Sequence, residues 1–257
     1  MKLLLSFLLA LVALAAPQDP PVETPVETPE EEPEEAPLDE AELAAARKLI
    51  ARASKALEGV LRVDAAFVQT QHSILLDEPL VSSGKLYLRA EPACLVLEFS
   101  DPRPVQLRSD ATSHRVWERD KRRAERYDFE ANDLAVALIS IFTADIGKVE
   151  EHFRLVELAP GEQLTVLGMV PRAEELAAVL GGLELTVRNA DAQVVAASYT
   201  NADGEATRLA LDEIVHHEKG DDLDAVFDAP LPKGVRLEVH RIKRPEDEQA
   251  GDEPGER

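Results

Sequence analysis

The chain has 257 residues, of which 30% are charged and 4% aromatic, with a formal net charge of −22 and a single cysteine. An internal disulfide is excluded, and the acidic balance argues against nucleic acid, whose general affinity rests on neutralising phosphates. Without the ten acidic residues of 17–40, the net five negative charges of 245–257 and Lys2, about −8 remains of the −22, an ordinary value for a soluble domain.

Residues 1–15 read "MKLLLSFLLALVALA": one Lys, an apolar run, then the small-residue pattern Ala13-Leu14-Ala15. That is the layout of a secretory signal peptide, and the run is shorter than the roughly 20 residues of a spanning helix. Residues 16–38 are Pro and Glu with no Lys, Arg or aromatic residue. Such a segment cannot bury enough apolar surface to offset chain entropy, so a disordered, extended acidic linker is expected. Residues 244–257 repeat that composition and are expected to be a disordered tail. A single domain over 39–243 is left between them.

The domain opens on "LDEAELAAARKLIARASKALEGVL". Apolar residues recur at Leu43, Ala46, Leu49, Ile50, Ala53, Leu57, Val60 and Leu61, which predicts an amphipathic helix capped by Asp39. Gly59 weakens it near its end. The period then switches to two, predicting a strand to about residue 76. "SSGKLYLRAEPACLVLEFSDP" alternates on both sides of Pro92, a position where a missing backbone donor does least harm. This predicts a hairpin with Leu86, Leu88, Leu95, Leu97 and Phe99 on one face and Lys85, Tyr87, Arg89, Cys94, Val96 and Glu98 on the other. Cys94 reads as a buried small hydrophobe.

Val105 and Leu107 predict a further strand. "HRVWE" and "ERYDF" flank the charged tip "RDKRR" of another hairpin. "ANDLAVALISIFTADIG" returns to helical spacing, with Leu134, Leu138, Ile141 and Phe142 on one face, Asn132 or Asp133 as cap and Gly147 as its end. Six more strands are predicted at "FRLVEL", "QLTVLGMV", "LELTVR", "VVAASYT", "TRLALDEIV" and "VRLEV", separated by polar turns, and "RAEELAAVLGG" holds about one helical turn. The fold class is therefore mainly β (α+β): a strongly curved sheet or barrel, whose apolar face only the two long helices are available to cover.

Little in the sequence suggests chemistry. Among His72, His114, His152, His216, His217 and His240 only the pair 216–217 is close, and neighbours on a strand point to opposite faces. No metal site, cofactor or enzymatic activity is expected, because no nucleophile, phosphate-loop or dinucleotide motif occurs. The locally basic stretch "RVWERDKRRAER" keeps a hairpin soluble or docks anionic lipid headgroups or a partner. The aliphatic hairpin face is an ordinary core or a surface that holds a greasy ligand, and alternation alone does not choose.

Several segments in order resemble the periplasmic lipoprotein carrier LolA and its superfamily. "AAFVQTQ" resembles the family's F-x-Q strand, "GKLYLRAEP" its glycine–leucine–aromatic strand ending in Pro, and "LVLEFSDP" the strand after it. "SDATSHRVWERD" is similar to its next hairpin, with Ala111 where Gly is usual. "LDAVFDAPLPKGVRLE" is similar to its closing strand, with Leu231 in place of a Pro. The resemblance spans about residues 41–240. It implies a curved antiparallel half-barrel covered on its concave face by helices, with acyl chains lodged between.

On that basis Phe67, Leu86, Leu88, Leu95, Leu97 and Phe99 are expected to line an apolar cavity, and Leu134, Leu138, Ile141 and Phe142 to form the underside of a lid. The family carriers often have an Arg before the second strand's Pro. Here that residue is Glu91, with Arg89 two positions back, so both are latch candidates. The implied function is a soluble, monomeric periplasmic carrier. It binds lipoprotein acyl chains, takes them from an inner-membrane release complex and passes them to an outer-membrane acceptor, with no covalent chemistry. The alternative is a lipid- or lipoprotein-binding sensor of the envelope on the same fold.

Overall fold

The structure is a computed structural model, and it describes residues 38–74, 76–129, 146–178, 180–201, 204–218 and 225–242. The expected signal peptide, acidic linker and acidic tail lie outside them, and so do residues 130–145, which include the four expected lid residues and most of the segment expected to form a second long helix.

The first helix, α1 (Glu40–Ala56), starts where the sequence says it should. Asp39 accepts from the Glu42 backbone N–H at 2.8 Å, and Glu42 accepts from the Asp39 N–H at 3.1 Å, a reciprocal capping box. Its buried face is Ala46, Leu49, Ile50 and Ala53. The helix is shorter than expected. Leu57 is its C-cap and Gly59 has a φ of +79°, so the chain has left the helical path before Leu61, which is 48% exposed. Past that point the apolar spacing belongs to the entry of the first strand, not to a further helical turn.

Eleven strands follow in two meanders: β1 (Arg62–His72), β2 (Leu80–Arg89), β3 (Cys94–Asp101), β4 (Val105–Asp110), β5 (Ser113–Glu118) and β6 (Arg123–Phe129), then β7 (Phe153–Pro160), β8 (Leu164–Pro171), β9 (Leu180–Arg188), β10 (Val194–Asn201) and β11 (Ala206–His217). A final strand, β12 (Arg236–Ile242), brings the sheet to twelve. Among the described residues three short helices interrupt them: α2 (Ile146–His152), α3 (Glu174–Ala177) and α4 (Ala225–Asp228). Gly147 was expected to end a helix, but it lies within α2, which continues to His152. A single glycine inside a helix costs only about 1 kcal/mol relative to alanine, so its presence alone did not fix an end.

The sheet is open and runs β12-β6-β5-β4-β3-β2-β1-β11-β10-β9-β8-β7. Neighbours pair antiparallel throughout except β12 with β6, which run parallel. The two meanders meet where β1 pairs with β11. One face, here the inner face, carries two large apolar clusters. The first lies over β7–β10, where Phe153, Leu167, Met169, Leu183 and Leu185 pack under the buried stripe of α1 and Val149 of α2. Arg47 of α1 pairs with Glu150 of α2 at 3.1 Å. The second lies over β1–β5 and is built from Val63, Ala65, Phe67, Leu86, Leu88, Leu97, Val105 and Leu107, with Leu57 and Val60 leaning in from the end of α1. The outer face carries a small third cluster in which Phe227 of α4 covers Cys94 and Val96.

Candidate functional site

The second inner-face cluster holds all six residues expected to line a cavity. Phe67, Leu86, Leu88 and Leu97 are buried in it, and Leu95 and Phe99 pack against it half-buried. The register explains their meeting. Ala65, Leu86, Leu97 and Leu107 face one another across four strands, and Val63, Leu88 and Leu95 form the next row. Phe67 and Phe99 both stand opposite Gly84. With no side chain between them their rings meet edge to face at 5.1 Å, across an intervening strand.

A cavity of about 420 Å³ opens beside this cluster, under the end of α1 and across the β1–β11 junction. That is within the usual range for small-ligand pockets, about 300–1,000 Å³. Its apolar wall is Leu57, Val63, Leu86, Leu211 and Ile214, and its polar rim is Arg188, Asp191, Gln193 and His216. Of the six expected residues only Leu86 lines it directly; the rest support or extend the wall.

Sequence reasoning missed Ile214 and His216 because of a bulge. Ala66 pairs with Asp212 but Asp64 pairs with Val215, so β11 has one residue more than β1 here, and Glu213 takes a φ of +49°. The extra residue reverses the alternation. Ile214 and His216 turn inward, while Val215 is left 50% exposed. Leu209 and Leu211 were legible as alternating apolar residues, but the change of parity was not. His217 faces the other way, 3.3 Å from Asp64, as neighbours on a strand should.

The rim satisfies itself. Arg188 donates to Asp191 at 2.7 Å and to Gln193, and the Gln193 amide meets the His216 ring at 3.1 Å. The Arg188 guanidinium holds the Asp191 carboxyl below its ordinary range. Burial lowers the His216 pKa, against the pull of Asp191, so its ring is neutral near pH 7. The rim thus offers hydrogen bonds but no activated nucleophile, and the wall offers only hydrocarbon. Such a site can hold an apolar chain by excluding water. Among the described residues no group of three or more His, Cys, Asp or Glu is placed to hold a metal, and no helix is long and apolar enough to cross a membrane.

The latch candidates lie elsewhere. Arg89 points to the outer face, where its guanidinium sits 4.8 Å from the centre of the Phe227 ring, 3.3 Å from Asp228 and 3.1 Å from the Pro92 carbonyl. It fastens α4 to the sheet. Glu91 is exposed at the β2–β3 turn.

The chain matches the family model described as outer membrane lipoprotein carrier protein LolA over residues 58–227. No curated protein matches it. Among solved structures, an uncharacterized conserved protein from Thermus thermophilus is similar at 12% identity, covering 76% of this chain and 99% of that one, with a TM-score of 0.46. The Mycobacterium tuberculosis lipoprotein LppX is similar at 14% identity, covering 72% and 99%, with a TM-score of 0.39. The Pseudomonas aeruginosa MucA/MucB complex is similar at 14% identity, covering 69% and 59%, with a TM-score of 0.39. Because the family model takes in β1 to β11 and reaches Phe227 of α4, about two thirds of the sequence, this chain belongs to the LolA family.

Proposed function

We propose that this protein is a periplasmic carrier that binds the acyl chains of lipoproteins in its inner-face cavity and moves them toward the outer membrane without covalent catalysis. The observation that supports this most is the coincidence of the family match with an aliphatic cavity whose rim has no activated group. Residues 1–15 would direct export, and the mature protein would work as a soluble monomer between an inner-membrane release complex and an outer-membrane acceptor. Phe67, Leu86, Leu88, Leu95, Leu97 and Phe99 would form the floor on which the chain lies, with Leu134, Leu138, Ile141 and Phe142 closing over it.

The energetics suit a carrier. Each methylene withdrawn from water contributes about 0.8 kcal/mol, so a partial enclosure holds a chain while leaving a membrane acceptor able to compete for it. The test is native mass spectrometry of protein purified from an envelope extract, together with uptake of a fluorescent fatty-acid probe. Wild-type protein should carry acylated ligand and take up the probe. Ile214→Glu puts a carboxylate into the half-buried apolar wall; it should keep the circular-dichroism spectrum and weaken uptake about tenfold or more. A wild-type protein that carries no acylated species and ignores the probe would rule the carrier out.

A further inference from the structure

The outer face of the β4–β6 end has a physically unusual arrangement. Arg108, Arg115 and Arg126 stand directly opposite one another on three adjacent strands. Like charges in directly paired positions destabilise a sheet, and only the outer two arginines have carboxylate partners. Arg108 lies 3.4 Å from Asp110, and Arg126 lies 2.6 Å from Asp128. Among the described residues the central Arg115 donates only to the amide oxygen of Gln106, at 3.1 Å. The Nε groups of Arg108 and Arg115 and the indole N–H of Trp117 find no acceptor among the described residues. Burial, with Arg108 and Arg126 alongside, pulls the Arg115 pKa below its usual value.

The same register continues onto the edge strand. Val239 of β12 stands opposite Arg126 and Leu237 opposite Ala124, which itself faces Trp117. Leu237 is 44% exposed and Val239 53%. Basic side chains, a tryptophan and exposed aliphatic residues therefore share one face, next to the basic hairpin tip of Lys121 and Arg122. A central arginine without a carboxylate partner among the described residues, flanked by two more arginines and by exposed aliphatic side chains, matches the two layers of a bilayer surface: phosphates outside and acyl chains just beneath. An acidic peptide would satisfy the arginines but leave Leu237 and Val239 unexplained.

We infer that the outer face of β4–β6 and β12, centred on Arg115, Trp117 and Val239, is a docking surface for bilayers containing anionic phospholipid. This goes beyond the carrier reading and does not depend on which cargo fills the cavity. Docking here would leave the inner face and its cavity turned away from the bilayer.

Trp117 is the only tryptophan in the chain, so its fluorescence reports on this patch alone. The full chain should show a blue-shifted emission with vesicles of about 30% phosphatidylglycerol in phosphatidylcholine, quenching by brominated lipid, and reversal in high salt. Pure phosphatidylcholine should give no shift. Each basic residue near such a surface contributes about 1 kcal/mol, so Arg126→Gln should lower partitioning about fivefold. Val239→Asp, at an exposed position on the edge strand, should abolish quenching by the brominated chains. Ile214→Glu should leave the Trp117 response intact whether or not it abolishes probe uptake, which separates failure of docking from failure of the carrier reading. The inference is overturned if emission ignores anionic vesicles, responds equally to phosphatidylcholine, or is unchanged in both patch variants. It is also overturned if a Glu-rich peptide shifts the emission where vesicles do not, since the patch is then a peptide site.

Discussion

At the scale of the residue, two positions concentrate the physics. A Cβ added at Gly84 would lie 2.0 Å from the Glu98 carbonyl oxygen, so no other residue fits there without moving β3. Phe67 and Phe99 both stand opposite this glycine, and their rings meet there. Gly84→Ala should therefore separate β2 from β3 and cost about 3 kcal/mol, measurable by urea denaturation, and should change the environment of both rings. His114 is the second. It is 3% exposed, with Nδ1 2.8 Å from the Ser109 hydroxyl, and burial lowers its pKa from 6.5 to about 4, against the opposing pull of Asp110. The folded state thus favours the neutral ring. The stabilisation is fully present above about pH 6.5 and is lost progressively as pH falls through that value toward 4, where the unfolded chain binds the proton more tightly. Its size is about 3 kcal/mol. The thermal midpoint should fall over that window, and His114→Gln should flatten the fall.

At the scale of the element, the sequence was most legible where one period ran unbroken. The capping box and the Ala46/Leu49/Ile50/Ala53 stripe defined α1, and simple alternation placed β2 to β6 within a few residues. It was least legible where the backbone departs from its period. The bulge at Asp212–Glu213 exchanges the two faces of β11, and so the inward turn of Ile214 and His216 was out of reach of alternation. The end of α1 was obscured for a different reason: Val60 and Leu61 continue the helical spacing by coincidence while serving the strand entry. The segment "LDAVFDAP" was matched as sequence, yet its mechanical role was not visible. Phe227 is 1% exposed, packed on Cys94 and Val96 and flanked by the guanidinium of Arg89 at 4.8 Å and of Arg62 at 5.9 Å. Phe227→Ala should cost about 4 kcal/mol and lower the thermal midpoint by about 10 °C. The comparison to make is Arg89→Met, which removes the cation but keeps the bulk and should cost less than half as much in the same melt.

At the scale of the molecule, the division of the inner face is what matters. The β7–β10 half is capped by α1 and α2 and is a core in the ordinary sense. The β1–β5 half meets only Leu57 and Val60 at the end of α1 among the described helical residues and the segment after them. The same alternation of apolar residues built both halves, which is why residue types alone did not separate core from cavity. The separation comes from where a seventeen-residue helix can reach.

The β1–β11 junction also has a kinetic side. The cavity takes Val63 and Leu86 from one meander and Leu211 and Ile214 from the other, so neither meander contains it. Contacts between residues so far apart in sequence close late and slowly. A nascent chain can complete β1 to β6 and still lack the cavity. The binding site then comes into being in the step that zips the two meanders together, and a greasy ligand present too early would meet only half a wall.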